Sequence, residues 1–350
     1  MHPDRRALLG TLAVLAAAAC FGTLGPLSRF AYDAGMTPLG FVTWRAGLGA
    51  LVVLALVAAR TRRGRPLIGL GGLSRRARAS LLVAVASGMV LNLAVFIAFG
   101  RITIALALLG FYTYPAMVTV AITIRDRRRP DGFHLVALAM ALIGMAVVVL
   151  GQVDAIAGVR FDLIGLGLAL LAAVAQTVFV LISRRGYAAV PTDEATLVVL
   201  GGGAVGYLAI ALAVGDLAAV TAPFRSPDAL PYLLLGGILG AGIPSLLFLT
   251  GIRWIGGVRT GILAMFEPVT GTLLAATLLA EALRPIQIVG GALVLGAGVL
   301  LQRSPTPRLV AEPWFAPPGP AAEPAAHAER AAPAQPSELI EPEVEPIPLI

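Results

Sequence analysis

Lysine is absent from this sequence, and charged residues of both signs make up only 13% of its 350 residues. The single cysteine, Cys20, excludes an intramolecular disulfide bond. The three histidines, His2, His134 and His327, lie far apart in sequence, and no Cys/His spacing matches a zinc site. We therefore expect no metal site and no cofactor.

Apolar residues take the place of the missing charges. Hydrophobic residues make up 58% of the chain, and the mean hydropathy is +0.89. A soluble domain carries about 25% charged residues and about 45–50% apolar ones. A single water-soluble core cannot bury this much apolar surface, so the composition predicts a protein embedded in a lipid bilayer.

The chain is nevertheless basic, with a net charge of +7 and a pI near 10.4, and such values are also typical of nucleic-acid-binding proteins. All 26 basic residues are arginines, and most lie in short clusters between apolar runs. Clusters of this kind orient membrane helices and do not form a phosphate-binding groove. We expect the lipid bilayer as a partner, and no nucleic acid.

Apolar runs of about 20 residues, the length that crosses a bilayer as a helix, recur along the chain. The sequence predicts ten such spans, at residues 8–29, 38–59, 80–99, 103–124, 133–151, 163–183, 195–215, 230–251, 257–279 and 285–302. The predicted fold is therefore an all-α integral membrane protein with ten transmembrane helices.

The placement of arginine predicts the orientation of these spans, because cytoplasmic loops are enriched in basic residues. With a cytoplasmic N-terminus, all of the clusters fall on the cytoplasmic side: Arg5 and Arg6, seven arginines at 60–78, four at 125–129, Arg184 and Arg185, Arg253, Arg303 and Arg308. The opposite side carries isolated arginines. An odd number of spans would break this alternation, so we predict an inner (plasma) membrane protein with both termini in the cytoplasm.

Several features of the first half recur in the second. The recurring pairs have offsets of 153–155 residues: Leu27-Ser28-Arg29 with Ile182-Ser183-Arg184, Tyr32 with Tyr187, and Tyr114-Pro115 with Glu267-Pro268. Each copy holds five spans, and an odd number forces the second copy to run inverted in the membrane. Inverted repeats are the structural basis of alternating access, with a substrate site near the midplane between the halves.

The repeat divides the chain into residues 1–152 and 153–304, each a five-helix unit. Residues 305–350 are rich in proline, alanine and glutamate without apolar periodicity, so we predict a disordered cytoplasmic tail. The basic start and the small residues before Cys20 also resemble a lipoprotein signal peptide. Because nine further spans follow, we expect the first helix to be retained and not cleaved as a signal peptide.

A set of short motifs accompanies the ten spans: Cys20-Phe21-Gly22-Thr23, Pro38, Trp44-Arg45, Tyr114-Pro115, Glu267-Pro268-Val269 and Leu279-Ala280-Glu281. With these motifs, residues 1–303 resemble the EamA-type members of the drug/metabolite transporter superfamily. The resemblance implies a ten-helix basket around a central cavity and a substrate among amino acids, sugars, nucleotide derivatives and drugs. Asp126 and Ala280 depart from the family pattern, which usually has glutamate and glycine there.

Glu267 is the one acidic residue in the middle of a predicted span. A charged side chain at the bilayer centre costs about 2.5–3.5 kcal/mol on insertion scales, so such residues usually serve a function. Glu267 is either a substrate ligand or proton carrier, or a hydrogen-bonded structural acid beside the helix break at Pro268.

Six further side chains complete the candidate substrate-binding site: Tyr114, Phe111, Asn92, Gln176, Ser245 and Arg45. Tyr114 lies just before a proline, in the position that corresponds to Glu267. An aromatic pair of Tyr114 and Phe111 bounds a cavity, although Phe111 equally fits plain packing against other helices.

The polar members of this set each have two interpretations. Asn92 and Gln176 either face the cavity or form interhelical hydrogen bonds worth about 0.6–2 kcal/mol, and the structural role is favoured. Ser245 falls opposite Asn92 in the repeat. Arg45, beside Trp44, either extends to the membrane interface, which is favoured, or attracts an anionic substrate.

These features predict a secondary transporter, and not an enzyme, that moves a small-molecule substrate such as an amino acid or a similar amphiphile by alternating access. Export is the predicted direction; proton coupling, and the choice between monomer and homodimer, stay open. The alternative is an intramembrane lipid-modifying enzyme, which would need paired carboxylates, histidines or a metal cluster. The GxGxxG string at Gly201, Gly203 and Gly206 lies inside an apolar run without a preceding strand and does not predict nucleotide binding.

Overall fold

The structure is a computed structural model that describes residues 3–64, 66–127, 131–151, 162–225, 227–278 and 284–303. Within these ranges the regular structure is entirely helical, which confirms the predicted all-α class. The predicted tail at 305–350, the Leu279-Ala280-Glu281 motif and the side chain of Asp126 lie outside the described part, as do His2 and His327. The described residues all belong to one compact unit.

Fifteen α-helices follow one another along the described chain. They are α1 (Pro3–Phe21), α2 (Leu24–Asp33), α3 (Pro38–Arg62), α4 (Arg75–Arg101), α5 (Ile104–Phe111), α6 (Tyr114–Asp126), α7 (Gly132–Leu150), α8 (Leu163–Arg185), α9 (Thr192–Ala213), α10 (Leu217–Arg225), α11 (Leu230–Gly237), α12 (Ile243–Ile255), α13 (Gly257–Ala264), α14 (Glu267–Leu278) and α15 (Pro285–Arg303). A π-helical turn, Ile238–Gly242, joins α11 to α12.

Eight helical stretches of the described chain are long and apolar enough to cross a bilayer. They are Asp4–Asp33, Pro38–Arg62, Arg75–Arg101, Ile104–Arg125, Gly132–Leu150, Leu163–Arg185, Thr192–Ala213 and Pro227–Ile255. The ninth predicted span corresponds to α13 with α14, and the tenth to α15, whose apolar part Pro285–Leu301 is shorter. Large apolar side chains lie on the outer surface, with Leu82 68% and Ile124 72% exposed, so lipid must cover it. The protein is therefore a multi-pass membrane protein.

Four of the predicted spans are not continuous α-helices. The first breaks at Gly22 and Thr23, the fourth at residues 112–113, the eighth at the π-helical turn and the ninth at residues 265–266. A proline lies shortly after each break, and it cannot donate to the carbonyl four residues earlier. The carbonyls that lose this donor belong to Gly22, Phe111, Gly240 and Ala264, ahead of Pro26, Pro115, Pro244 and Pro268. Hydropathy alone could not locate these breaks, because it averages over the whole span.

The breaks of the fourth and ninth spans match residue for residue. Both spans have eight helical residues, a two-residue break and a second helix that starts at Tyr114 or at Glu267. The offset between the two spans is 153 residues at each of these points. Both prolines are the second residue of the new helix, a position where the missing N–H costs nothing.

Helices of the first half pack against helices of the second. In the first three spans, α1 packs on α12, α3 on α9, and α4 on α8. In the last two spans of each half, α6 packs on α13, and α7 packs on α15. Within the described residues, every span of one half therefore packs against a span of the other half, and the interface between the halves extends through the bundle.

Gly144 of α7 and Gly290 of α15 lie where these two helices approach most closely. A Cβ atom on Gly144 would be 2.6 Å from the carbonyl oxygen of Gly290, and a Cβ on Gly290 would be equally close to that of Gly144. Real side chains do not approach a backbone oxygen so closely, so only glycine fits at either position. Small residues that bring backbones together are the usual basis of helix association in lipid.

Ion pairs join the helix ends on both sides of the bundle. On the side predicted to be cytoplasmic, Arg60 of α3 contacts Asp193 at 3.0 Å and also Glu194, both at the start of α9. Glu194 also accepts a hydrogen bond from the Ile68 backbone N–H and so holds the loop after α3. On the other side, Arg101 contacts Asp162 at 2.5 Å and lowers the pKa of that carboxyl. This second pair is exposed and contributes little to stability.

Candidate functional site

A cavity lies between the two halves of the described bundle and has a volume of about 990 Å³ with its open part included. Eight of the ten predicted spans line it, all except the fifth and the tenth. Its walls are mostly aromatic and aliphatic, as in a typical small-molecule site. All seven predicted site residues lie on its surface: Arg45, Asn92, Phe111, Tyr114, Gln176, Ser245 and Glu267. Their role as substrate ligands stays a prediction.

Glu267 enters the cavity from the helix break in the ninth span. It is the first residue of α14 and is partly buried. The Tyr112 hydroxyl lies 2.6 Å from Glu267 Oε2 and 3.1 Å from the carbonyl oxygen of Ala264, which lacks its helical donor because residue 268 is proline. Tyr112 therefore connects the carboxyl group to a free backbone acceptor.

This contact accommodates both protonation states of the glutamate. A hydroxyl has one proton, so Tyr112 donates to one of its two neighbours at a time. When Glu267 is ionised, Tyr112 donates to the carboxylate. When Glu267 is protonated, the acid donates to Tyr112, and Tyr112 donates to the Ala264 oxygen. The hydrogen bond between Glu267 and Tyr112 therefore persists in both states, whereas the bond from Tyr112 to the Ala264 oxygen forms only when the acid is protonated.

Tyr112 was missed by the sequence analysis. On an uninterrupted helix its side chain would lie about 200° from that of Tyr114, so the two could not share a face. The break at residues 112–113 reorients the chain, and both rings join Phe111 in one cluster with centroid distances of 5.2–6.0 Å. Three aromatic residues among the four that precede Pro115 are the signal that could have found it.

Arg45 does not extend to the membrane interface, so the favoured interpretation of this residue is wrong. Its side chain is 5% exposed and lies among the helices. Nε donates to the Gly240 oxygen at 3.1 Å, Nη2 donates to the same oxygen, and Nη1 donates to Asn92 Oδ1 at 2.7 Å. The guanidinium also lies 5.2 Å from the centre of the Phe96 ring. Pro244 explains the attraction, because it leaves the Gly240 carbonyl without a helical donor.

Trp44 behaves differently from its neighbour. Its indole Nε1 donates to the Val220 carbonyl at 3.0 Å, and its ring lies edge-on to Phe224 of α10 at 5.7 Å. Phe224 is 79% exposed, so this aromatic pair is at the surface of the bundle, as expected at a membrane interface.

The amide side chains combine both predicted roles. Asn92 lines the cavity and forms an interhelical hydrogen bond with Arg45, while its Nδ2 donates to the Gly88 oxygen at 2.8 Å. Gln176 lies beside the Tyr114 hydroxyl and is 5% exposed. Its Oε1 has no hydrogen-bond partner within the described chain. Ser245 is partly exposed and follows the π-helical turn.

Comparisons with known proteins agree with this architecture. The sequence profile of the EamA-like transporter family matches two consecutive segments, residues 8–150 and 163–302. An uncharacterized transporter of Archaeoglobus fulgidus is 26% identical over 294 residues, which cover 83% of this chain and 95% of that protein. A protein of known crystal structure matches with a TM-score of 0.65 and 20% identity, covering 86% of this chain and 96% of the other, and so shares its fold. Because the family profile matches most of the chain, this multi-pass membrane protein belongs to the EamA-like transporter family.

Proposed function

We propose that the protein is a secondary transporter that exports a small amphiphilic metabolite, such as an amino acid, across the inner membrane by alternating access. The observation that carries this proposal is the central cavity, whose lining comes from four spans of each half. A site shared by two halves can open to one side or the other when the halves move against each other. The apolar walls favour the body of the substrate, and Arg45 and Glu267 favour its charged groups.

The proposal includes ten spans in two inverted repeats, and the packing of the helices supports it. In a two-fold exchange of the halves, the first span takes the place of the sixth, and the eighth span takes the place of the third. The pair formed by the first and eighth spans therefore becomes the pair formed by the sixth and third. The structure has both of these pairs. Three further pairs, between the second and seventh, the fourth and ninth, and the fifth and tenth spans, map onto themselves. A two-fold relation between the halves is the simplest explanation of this pattern.

Details of two spans support the same relation. Ser28 and Ser183 are both fully buried, each four residues before a tyrosine at the end of its span. The Tyr32 hydroxyl donates to the backbone oxygen of Phe96 in the third span. The Arg253 guanidinium of the eighth span lies 5.3 Å from the centre of the Tyr187 ring. Each tyrosine therefore contacts the span that the exchange of halves assigns to it.

Proton coupling through Glu267 is part of the proposal. The acid lies in the cavity, and it stays hydrogen-bonded to Tyr112 in both protonation states, with the Ala264 oxygen accepting from Tyr112 when the acid is protonated. A proton can thus bind and leave while the surrounding hydrogen bonds rearrange. Binding of a substrate in the same cavity would change the cost of the charged form, which links the two events.

An intramembrane lipid-modifying enzyme is the competing function. General acid–base chemistry requires two groups that exchange protons with the reacting atoms. Among the described residues that line the cavity, Glu267 is the one carboxyl, and its polar neighbour is Tyr112. The purified protein incubated with phospholipids tests this function directly, and a change in lipid composition without metabolite transport would favour it.

The transport function is tested by reconstituting the purified protein in liposomes and offering a panel of labelled amino acids and other small amphiphiles. We expect at least one compound to exchange across the membrane, and to accumulate when a pH gradient is imposed. Uptake into everted but not right-side-out membrane vesicles would indicate export. If no compound of the panel exceeds the flux of protein-free liposomes, the transporter proposal fails.

The proposed topology makes a separate prediction. In a Cys20→Ser background, one variant carries a new cysteine at position 310, and a second variant carries one at Ala219 of α10, between the seventh and eighth spans. A membrane-impermeant maleimide is expected to label position 219 in intact cells and position 310 only after the cells are opened. Labelling of both positions from the same side would contradict ten spans with cytoplasmic termini.

A further inference from the structure

Arg45 is a buried cation whose charge no carboxylate neutralises directly. Within the described chain it makes no ion pair, and its partners are the Gly240 carbonyl, the Asn92 amide and the face of Phe96. Glu267 lies in the same cavity and interacts with it at longer range. A charge removed from water without a counter-charge is costly, so a site of this kind favours a bound anion.

The guanidinium of Arg45 also has N–H groups that no protein acceptor in the described chain uses. It carries five N–H groups in a planar fork. Three of them serve the Gly240 and Asn92 oxygens, which leaves one N–H on each of the two terminal nitrogens. Arg45 lines the cavity, so a ligand that enters it can reach these donors. Two N–H groups on one guanidinium match the two oxygens of a carboxylate.

The protein holds this group in place before any ligand arrives. Pro244 leaves the Gly240 oxygen free, and two arginine nitrogens bind it. Asn92 is itself fixed by its bond to Gly88. A Cβ on Gly240 would lie 2.3 Å from the Leu24 side chain, so glycine allows the turn to approach. A preorganised donor loses little entropy on binding.

We propose that Arg45, positioned by Gly240 and Asn92, is the subsite for a carboxylate group of the substrate, and that the substrates are organic carboxylates with an apolar body. This inference rests on the proposed transport function and specifies its substrate class. The apolar body lies against the aromatic walls of the cavity, which include Phe96, Phe99 and Phe248. A cationic group on the same molecule would be directed to Glu267, which accounts for zwitterions as well as simple carboxylates.

Matched small ligands test the inference by their effect on thermal unfolding of the protein in detergent. Phenylacetate, phenylacetamide and 2-phenylethylammonium have the same ring and similar size but carry a negative, zero and positive charge. We expect phenylacetate to stabilise the wild-type protein at lower concentration than phenylacetamide. A hydrogen bond to a charged group is worth about 1.5–3 kcal/mol, so the affinities should differ by about tenfold or more.

Two variants assign that preference to Arg45. Arg45→Gln is expected to remove it, so that phenylacetate and phenylacetamide bind equally. Arg45→Lys keeps the buried charge, and with it the fold, but lacks the planar fork and should bind phenylacetate several-fold more weakly than wild type. Arg62→Gln, at the exposed end of the same helix, is the matched control and should bind as wild type does.

The result that overturns the inference is equal binding of phenylacetate and phenylacetamide to the wild-type protein, or an undiminished preference in Arg45→Lys and Arg45→Gln. The wild-type comparison decides the point even if a variant does not fold. Transport of uncharged or cationic compounds alone would contradict the carboxylate subsite and leave the transporter proposal standing. Phenylacetate bound through Arg45 without transport of any compound would contradict the transporter proposal and leave the carboxylate subsite standing.

Discussion

Glu267→Gln is expected to abolish the dependence of transport on the pH gradient and to reduce accumulation of the substrate by about tenfold or more. Coupling free energies between linked sites are about 1–3 kcal/mol, which corresponds to about 5–150-fold. Glutamine keeps the size of the side chain and can still bond to Tyr112, so the variant should fold. It cannot bind or release a proton, so substrate exchange without a gradient should continue while accumulation fails.

The surroundings of Glu267 make related predictions for two tyrosines. The titratable and charged groups that interact with the acid are Tyr112, Tyr114 and Arg45. Tyr112→Phe removes the hydroxyl that joins Glu267 to the Ala264 oxygen, and it should impair proton coupling nearly as much as Glu267→Gln. Tyr114→Phe leaves this connection intact, and its effect should be milder and mainly on substrate affinity.

Proteoliposomes with an imposed pH gradient or an imposed membrane potential measure these effects separately from exchange. Asp33→Asn, an exposed acid at the end of α2, is the control for loss of a carboxyl elsewhere in the chain. Wild-type accumulation and unchanged pH dependence in Glu267→Gln would leave this residue a structural acid. The transporter proposal would survive, because it rests on the cavity and the two halves.

Gly144→Leu should produce the largest loss of stability. Overpacking usually costs about 1–3 kcal/mol where side chains can adjust. Here the first added atom would already lie 2.6 Å from the Gly290 backbone oxygen and 2.8 Å from the Leu293 Cβ, and neither can move without separating α7 from α15. The cost should therefore reach the upper part of that range or exceed it, and the folded protein should be recovered in low yield.

Gly167→Leu is the matched control, because Gly167 is exposed near the start of α8 and has no atom within 4 Å of an added Cβ. Unfolding temperatures of both variants in detergent, followed by size-exclusion chromatography and a thiol-reactive dye at Cys20, provide the comparison. An unfolding temperature for Gly144→Leu equal to that of Gly167→Leu would show that α7 and α15 are not held at the distance seen here.

Sequence reasoning located the eight spans that the structure confirms and most of the polar residues that line the cavity, because the signals are local. An apolar run of about 20 residues identifies a membrane helix without any knowledge of its neighbours. An acid such as Glu267, or an asparagine such as Asn92, stands out against an apolar background. Pro268 marked the break in the ninth span as well, because a missing N–H is a property of the residue itself.

The contacts that give these residues their roles depend on positions far apart in the chain. Arg45 finds the Gly240 oxygen 195 residues away, and Tyr112 finds Glu267 155 residues away. Hydropathy placed Arg45 at an interface because it counts residues from the end of a span. The free carbonyl that draws the side chain inward comes from a different helix and has no signal near residue 45.

The amino-acid sequence alone thus determined the membrane environment, the approximate spans, the proline positions and the duplication of short motifs, all of which follow from composition and spacing. Only the tertiary structure decided which free carbonyl pairs with which side chain, that Tyr112 and Tyr114 share a cavity, and that Gly144 faces Gly290. The physical reason is that a backbone group left open by proline must be satisfied inside the bilayer, and the packing of the helices selects the partner.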